Sequence, residues 1–381
     1  MIATRTAIMS LALSTILAAT GASAEDPIQQ VLQSQQSEWS DGFDAAASSA
    51  PQIRGDIPTL SADIVGAVEH AILQYSDIVA QGGWPMVPPE QKLKVGSRGP
   101  SVAALRQRLI ISGDLDYSLG VSEAFDTYVE AAVKRFQGRH GIPVDGVVGD
   151  STFAALNVPA AVRLNQLSTN LTRLKMHTQK LPDRFIMVNI PAAQVEAVEN
   201  GMVASRHTAI VGKVDRPSPI VNSKVTEINF NPFWTVPASI IKKDLIPKMQ
   251  KDPNYVNDYK IRIYDKQGNE IPASQIDWYS DEATNYLFRQ DPGDFNSMGN
   301  VKINFPSPEG VYMHDTPGKL LFNNEFRFES SGCVRIQGIR DLIKWILRDT
   351  PEWDSAAIDQ MFVNGQRVDA KVAKPVPLYW V

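Results

Sequence analysis

The sequence predicts a multidomain α+β protein in which a mainly antiparallel β-sheet domain follows a small three-helix domain. At 381 residues the chain exceeds the roughly 250 residues at which a single hydrophobic core stops growing. Apolar residues recur with helical spacing between residues 93 and 157. After residue 183, β-branched residues alternate in several short runs. These observations favour separate helical and β-rich domains.

Changes in composition divide the chain into segments. We predict a signal peptide (1–24), a scaffold segment and linker (25–90), a three-helix domain (91–158), a linker helix (159–182), a β-rich domain (183–350) with an inserted lid (about 238–296), and a C-terminal extension (351–381). The net charge of -5 and the lack of a long basic run provide no attraction for nucleic acid. We therefore expect no nucleic-acid partner.

The first residues are typical of a secretory signal. Arg5 precedes a short apolar run, and a small-residue cleavage site ends at Ala24. A membrane-spanning helix needs about 20 apolar residues, and this run is shorter. We therefore expect export with no transmembrane anchor after cleavage.

The segment from residue 91 to 158 has the texture of a compact helical module. Val129, Val133 and Phe136 repeat with helical spacing, and Gly and Asp turns separate the predicted helices. The motifs Leu93-Lys-Val-Gly-Ser-Arg-Gly and Asp145-Gly-Val-Val-Gly-Asp-Ser-Thr-Phe resemble the small peptidoglycan-binding module of many cell-wall hydrolases. This resemblance implies a peptidoglycan-binding domain.

The predicted lid is richer in charged residues, Asn and Asp than the strands around it. Long insertions in compact domains are often lids over functional sites. Four aromatic side chains in or next to this region either line a groove beneath the lid or belong to a core: Trp234, Tyr279, Tyr286 and Phe288.

Cys333 is the only cysteine of the chain, so the chain has no internal disulfide. It is either a small buried apolar residue or a nucleophile. An amphipathic helix is predicted shortly after it, and a helix N-terminus would favour a thiolate. Gly332 would let a substrate approach the backbone closely.

A cysteine nucleophile at neutral pH needs a nearby base. His314 follows an apolar run and is expected at the end of a strand, whereas His207 is a weaker candidate. We expect solvated or structural roles for the other histidines: His70, His140 and His177. The spacing of His and Cys predicts no zinc site, and a cysteine–histidine mechanism implies no cofactor. The residues alone leave open whether His314 and Cys333 are catalytic or packing residues.

Two motifs favour a catalytic role for His314 and Cys333 over a packing role. His314-Asp-Thr and Ser330-Ser-Gly-Cys-Val-Arg335 resemble the signature of the YkuD-type L,D-transpeptidase domain. Val211-Gly-Lys213 and Asn231-Pro-Phe-Trp-Thr-Val-Pro237 resemble landmarks of its large periplasmic branch, which carries a capping subdomain. Most members have His where this chain has Ser331, which removes a second imidazole from the site.

The resemblance implies a role for each matching residue. Cys333 would be the nucleophile and His314 the general base and acid, with the Asp315 carbonyl orienting the imidazole. The N–H groups of Gly332 and Cys333 would form an oxyanion hole. Ser331 is expected near the substrate, and Arg335 would bind either a stem carboxylate or a nearby acidic residue.

The resemblance also implies an activity. Tetrapeptide stems containing meso-diaminopimelate would be joined by 3→3 crosslinks in the periplasm, and carbapenems would acylate the cysteine. Three alternatives stay open: an L,D-carboxypeptidase, an enzyme that attaches or releases a wall-anchored lipoprotein, and a non-catalytic wall-binding protein. Other wall-synthesis enzymes or a lipoprotein are possible partners.

Overall fold

The computed structural model describes residues 55–89 and 91–381. The predicted signal peptide and residues 25–54 of the scaffold segment lie outside the described residues. Across the part that is described, no helix combines the length and apolar character needed to cross a membrane.

Three α-helices make up the predicted module in the described residues 91–158. They are Pro100–Ile111, Thr127–Arg139 and Asp150–Leu156. Their apolar faces meet in one core, to which Leu105, Phe136 and other residues contribute. Asp126 caps the second helix, since its Oδ1 accepts from the N–H of Val129 at 2.9 Å. The prediction of a small three-helix domain is confirmed.

Two long helices flank this module in the chain and pack against each other. Ala62–Ala80 lies in the predicted scaffold segment, and Ala160–His177 is the predicted linker helix. Ser61 starts the first of them, because its Oγ accepts from the N–H of Ile64 at 3.2 Å.

Within the described residues, nine strands form one mainly antiparallel sheet, as the sequence predicts. The strands are β1 Arg184–Asn189, β2 Gln194–Glu199, β3 Met202–Gly212, β4 Val221–Phe230, β9 Val301–Asn304, β10 Met313–His314, β11 Phe328–Ser330, β12 Val334–Ile336 and β13 Val368–Trp380. Their order in the sheet is β11-β3-β12-β10-β9-β4-β13-β1-β2, and β2 also pairs with β3, so the sheet closes on itself.

One face of this sheet encloses the main hydrophobic core. The helix Ile339–Leu347 fills it with Leu342, Ile343 and Ile346, all fully buried against apolar residues of the strands. Burial of a side chain of this size stabilises a fold by about 1.5–3 kcal/mol. The core therefore fixes the strands whose opposite face carries the candidate site.

Residues 351–381, predicted as a C-terminal extension, belong to the sheet. The helix Ser355–Asn364 leads into β13, which lies between β4 and β1. The β13–β4 register shifts between Lys371 and Val376, around Pro375, which has no N–H to donate. The sheet domain therefore extends beyond the predicted boundary at residue 350.

The predicted lid region has its own small sheet and core between residues 234 and 290. Its strands are β5 Trp234–Thr235, β6 Ile261–Tyr264, β7 Glu270–Ile271 and β8 Leu287–Gln290. A helical stretch comprises Ala238–Ile240, Ile241–Leu245 and Ile246–Lys251. Phe288 is fully buried in this second core.

Candidate active site

Pairing of β10 with β12 brings the two motif segments together. The strands run parallel, with Met313 opposite Val334 and His314 opposite Arg335. The N–H of Val334 donates to the carbonyl of Tyr312 at 3.1 Å, which continues the pairing toward Cys333. Because alternate residues of a strand share a face, the side chains of His314, Cys333 and Arg335 lie on one side of the sheet.

Two serines fix the backbone around Cys333. Ser330 Oγ donates to the Cys333 carbonyl at 2.5 Å and accepts from the Gly332 N–H at 3.2 Å. Ser218 Oγ donates to the Gly332 carbonyl at 2.8 Å. Gly332 has φ +114°, a conformation that side chains rarely adopt, so glycine is required here. The nucleophile candidate therefore stands on a rigid turn.

The expectation that a helix N-terminus stabilises the thiolate is wrong. Strand β12 follows Cys333 directly, and the helix begins only at Ile339. The pairing of Val334–Ile336 with β10 and β3 makes this segment extended. The N-terminus of the helix, with the positive end of its dipole, is therefore separated from Cys333 by strand β12.

Cys333 is half-buried, and its surroundings exert opposing effects on the thiol. Burial raises its pKa above the ordinary value. Hydrogen bonds from the N–H and hydroxyl of Tyr312 lower the pKa, as do the charges of Lys302 and Arg335. The net shift is upward, so the thiol needs a base to lose its proton.

His314 is buried, with 6% of its surface exposed. Burial, together with the charges of Arg335 and Lys302, lowers its pKa to about 3. The imidazole is therefore neutral at neutral pH. Its Nδ1 lies 2.5 Å from the backbone oxygen of Asp315, which makes Nδ1 the protonated nitrogen and leaves Nε2 free to accept a proton.

Asp315 is held tightly on several sides. Its N–H donates to the Val301 carbonyl at 2.9 Å, and its Oδ2 accepts from the Asn300 N–H at 3.1 Å. Lys319 pairs with its Oδ1. Gly299 comes so close that an added Cβ would stand 2.5 Å from Asp315 Oδ2. The carbonyl that faces His314 is thus part of a fixed segment.

The two predicted substrate-binding residues differ in their surroundings. Ser331 is exposed, and its Oγ accepts from Arg216 Nη1 at 3.0 Å. Arg216 also pairs with Asp244 of the lid at 2.5 Å. Arg335 Nε is buried and has no acceptor within residues 55–89 and 91–381. Burial lowers the pKa of Arg335, while Cys333 and Glu329 raise it.

Comparison with known families identifies the domains that carry this geometry. Residues 183–356 match the YkuD family, described as "L,D-transpeptidase catalytic domain". Residues 98–156 match the family described as "Putative peptidoglycan binding domain". The chain carries a peptidoglycan-binding domain followed in sequence by an L,D-transpeptidase catalytic domain.

A curated protein of Haemophilus influenzae, named "Putative L,D-transpeptidase", is 34% identical over 233 residues. The match covers 59% of this chain and 47% of the relative, so the chain spans about half the length of the curated relative it matches. A solved L,D-transpeptidase from Xylanimonas cellulosilytica is 15% identical, with a TM-score of 0.25, over 77% of this chain and 99% of that one. One from Stackebrandtia nassauensis is 13% identical, with a TM-score of 0.29, over 77% and 97%.

The other candidate base of the transpeptidase domain, His207, is engaged elsewhere. Its Nε2 lies 2.9 Å from Ser205 Oγ, and its Nδ1 lies 3.0 Å from the Gln337 carbonyl. His140, in the peptidoglycan-binding domain, stacks on Phe136. Among the residues with described coordinates, no cluster of His, Cys, Asp and Glu suited to a metal ion is found.

Of the four aromatic residues considered for a groove, Trp234 contacts the site of the transpeptidase domain. Its Nε1 donates to the Tyr312 hydroxyl at 3.0 Å. Phe288 is core, Tyr279 is exposed, and Tyr286 donates to Glu282. A cavity of about 160 Å³ lies between the lid and Pro317, with Trp234 and Asp244 in its wall.

Sequence reasoning missed Tyr312, Lys302 and Arg216 in the transpeptidase domain. Tyr312 stands two residues before His314, and this spacing along an extended segment is the signal that would have placed both on one face. Lys302 and Arg216 come from distant segments, so their positions depend on strand pairing and on the lid.

Proposed function

We propose that this chain is an exported L,D-transpeptidase that forms 3→3 peptidoglycan crosslinks through an acyl-enzyme on Cys333. The observation that supports it best is that the pairing of β10 with β12 brings the segment of the only cysteine next to a buried, neutral histidine, whose Nδ1 donates to a backbone carbonyl. This arrangement suits a nucleophile and its base.

In the first step His314 Nε2 takes the proton of the Cys333 thiol, and the sulfur attacks the carbonyl of the L-centre of meso-diaminopimelate in a tetrapeptide stem. The amide bond to the terminal D-alanine breaks. His314 returns the proton to the leaving amine, and the products are free D-alanine and a thioester on Cys333.

In the second step the side-chain amine of a second stem attacks the thioester. The new amide bond is the 3→3 crosslink, and the amine loses a proton through His314 as the thiol is restored. The proposed cycle uses one nucleophile and one acid-base group, and it calls for no metal or cofactor.

Negative charge develops on the carbonyl oxygen in both steps and needs hydrogen-bond donors. The N–H of Cys333 is the first candidate, because we find no acceptor for it among the described residues. The N–H of Gly332 donates to Ser330 Oγ at 3.2 Å and would have to exchange that bond for the oxyanion. One such donor contributes about 3 kcal/mol to catalysis.

Arg335 is proposed to bind a stem carboxylate. A buried guanidinium whose Nε has no acceptor costs free energy unless a ligand completes it. The alternative partner, Glu329, acts only through its charge, with no ion pair between the two side chains in the described part of the chain. This favours a substrate role over a structural one. Ser331, exposed at the same edge, is proposed to line the substrate path.

The identity of the acyl acceptor separates the remaining alternatives. Water would make the enzyme an L,D-carboxypeptidase, and a lipoprotein lysine would make it an anchoring enzyme; a lipoprotein or another wall-synthesis enzyme would then be a partner. The peptidoglycan-binding domain supports a wall substrate in each case. With the predicted signal peptide, this supports action in the periplasm.

The test is incubation of the protein from residue 25 onward with a disaccharide-tetrapeptide, with products read by mass spectrometry. A 3→3 dimer made by the wild type and not by Cys333→Ala supports the proposal. Tripeptide alone identifies water as the acceptor. No product, together with no carbapenem adduct on Cys333, would leave a non-catalytic wall-binding protein.

A further inference from the structure

Lys302 lies beside the candidate nucleophile without a conventional partner. It stands on β9, directly opposite His314 on β10, and it is half-buried. Its Nζ lies 4.4 Å from the centre of the Tyr312 ring, a cation–π contact. We find neither a hydrogen bond nor an ion pair for this ammonium group within residues 55–89 and 91–381. A half-buried ammonium group costs free energy unless a nearby negative charge compensates it.

The nearest carboxylates are engaged with other groups. Asn229, opposite Lys302 on β4, donates to Glu227 Oε1 and to Asp369 Oδ1, each at 2.8 Å. Arg367 also pairs with Asp369, at 2.9 Å. Neither carboxylate forms a direct ion pair with Lys302.

Charge interactions connect Lys302 with Cys333. Burial lowers the pKa of Lys302, and Cys333 is the strongest of the groups that raise it. In return, Lys302 and Arg335 lower the pKa of Cys333. The two cations flank His314 on its neighbouring strands, which lie about 4.8 Å from it on either side. Both are therefore close enough to act on a sulfur at this end of the strands.

We propose that Lys302 is a positioning residue that, together with Arg335, stabilises the negative charge on Cys333 Sγ as its proton moves to His314. This inference rests on the proposed function. Lys302 stays protonated throughout, and only the thiol proton is transferred, to His314 Nε2. Lys302 also acts through Tyr312, whose ring it covers and whose hydroxyl binds the Cys333 sulfur while accepting from Trp234.

Several titratable groups share this environment and bear on the pH dependence. Those that face Lys302 from the elements around it are His314 and Tyr312 next to it, Cys333 before β12, Glu227 on β4 and Asp369 on β13. The cations have opposite effects on the reacting pair, because they favour a thiolate and disfavour an imidazolium. The alkylation rate of the thiol measures the first effect directly, since the thiolate is the reactive species.

The test measures the alkylation of Cys333 by iodoacetamide as a function of pH, followed by intact-protein mass spectrometry. Lys302→Met and Lys302→Gln should alkylate about tenfold more slowly than wild type at neutral pH, with the profile shifted to higher pH. Lys302→Arg keeps the charge and should retain most of the rate. Lys224→Met, which removes an exposed lysine from β4 of the same sheet, is the matched control.

The readout needs no peptidoglycan, so it stands whether or not 3→3 products are found. An unchanged alkylation profile in a folded Lys302→Met or Lys302→Gln protein overturns the inference, even if turnover falls, since that pattern assigns the lysine to substrate binding. An equal shift in Lys224→Met also overturns it, because the effect would then be one of net charge. Circular dichroism checks folding, and the Gln variant decides if the Met variant does not fold.

Discussion

The Nδ1 atom of His314 lies 2.5 Å from the backbone oxygen of Asp315, the residue that follows it in the chain. This contact requires the backbone of Asp315 to be held in place. Here contacts with Val301, Asn300 and Lys319 hold it. The orientation of the imidazole therefore depends on the residues that hold the backbone of Asp315 in place.

Gly299 tests this dependence. Gly299→Ala would place a Cβ against the Asp315 carboxylate, move the carbonyl that accepts from His314, and lower kcat/KM for a tetrapeptide donor by roughly 100-fold, the cost of about 1 Å of misplacement. Gly293→Ala is the matched control, because Gly293 also has positive φ but no atom within 4 Å of an added Cβ. Equal losses in both variants would show that backbone strain alone is responsible.

Acid should destabilise the protein through His314. Its pKa in the folded protein is about 3, below the ordinary 6.5, so the unfolded chain binds the proton more readily and stability falls as the pH falls from about 6.5 toward 3. The urea midpoint of His314→Asn should therefore drop less between pH 7 and pH 4 than that of the wild type. His207 and His140 also have lowered pKa values, but they are present in both proteins. Parallel drops would contradict the prediction.

Arg335 should recognise one carboxylate of the donor stem. Arg335→Met should lower kcat/KM by about 10- to 100-fold, the range for one hydrogen-bonded charge pair. With the wild type, amidation of the recognised carboxylate, on diaminopimelate or on the terminal D-alanine, should lower kcat/KM by the same factor. With Arg335→Met, the same amidation should lower kcat/KM little further. Additive losses for every amidated donor would point to a structural role for Arg335.

The contact of Arg216 with Asp244 should stabilise the lid on the sheet domain. Both side chains are partly buried, so a double-mutant cycle with Arg216→Met and Asp244→Asn should give a coupling of about 1 kcal/mol in the free energy of unfolding. The exposed pair Lys242 and Asp281 within the lid is the control and should couple by only a few tenths of a kcal/mol. A coupling no larger than the control's would mean that Arg216 does not hold the lid.

The sequence predicted features that local pattern controls. Val129, Val133 and Phe136 identified a helix because one helix face must be apolar, and the short alternating runs identified β1, β2 and β3. The motifs around His314 and Cys333 predicted the domain family. The C-terminal strand was missed, because Pro375 and Pro377 argue against a strand inside a sheet; Pro375 lies where the register beside β4 shifts, whereas Pro377 pairs regularly with Lys224.

The sequence by itself determined the kind of domains present, and it predicted His314 and Cys333 as the residues for the chemistry. The tertiary structure decided what surrounds them. Strand β12 replaced the expected helix N-terminus, and the register of β9, β10 and β12 placed Lys302 and Arg335 on either side of His314. The reason is physical: a residue's helix or strand preference acts over a few neighbours, whereas pKa values and ion pairing depend on charges that only chain folding brings together.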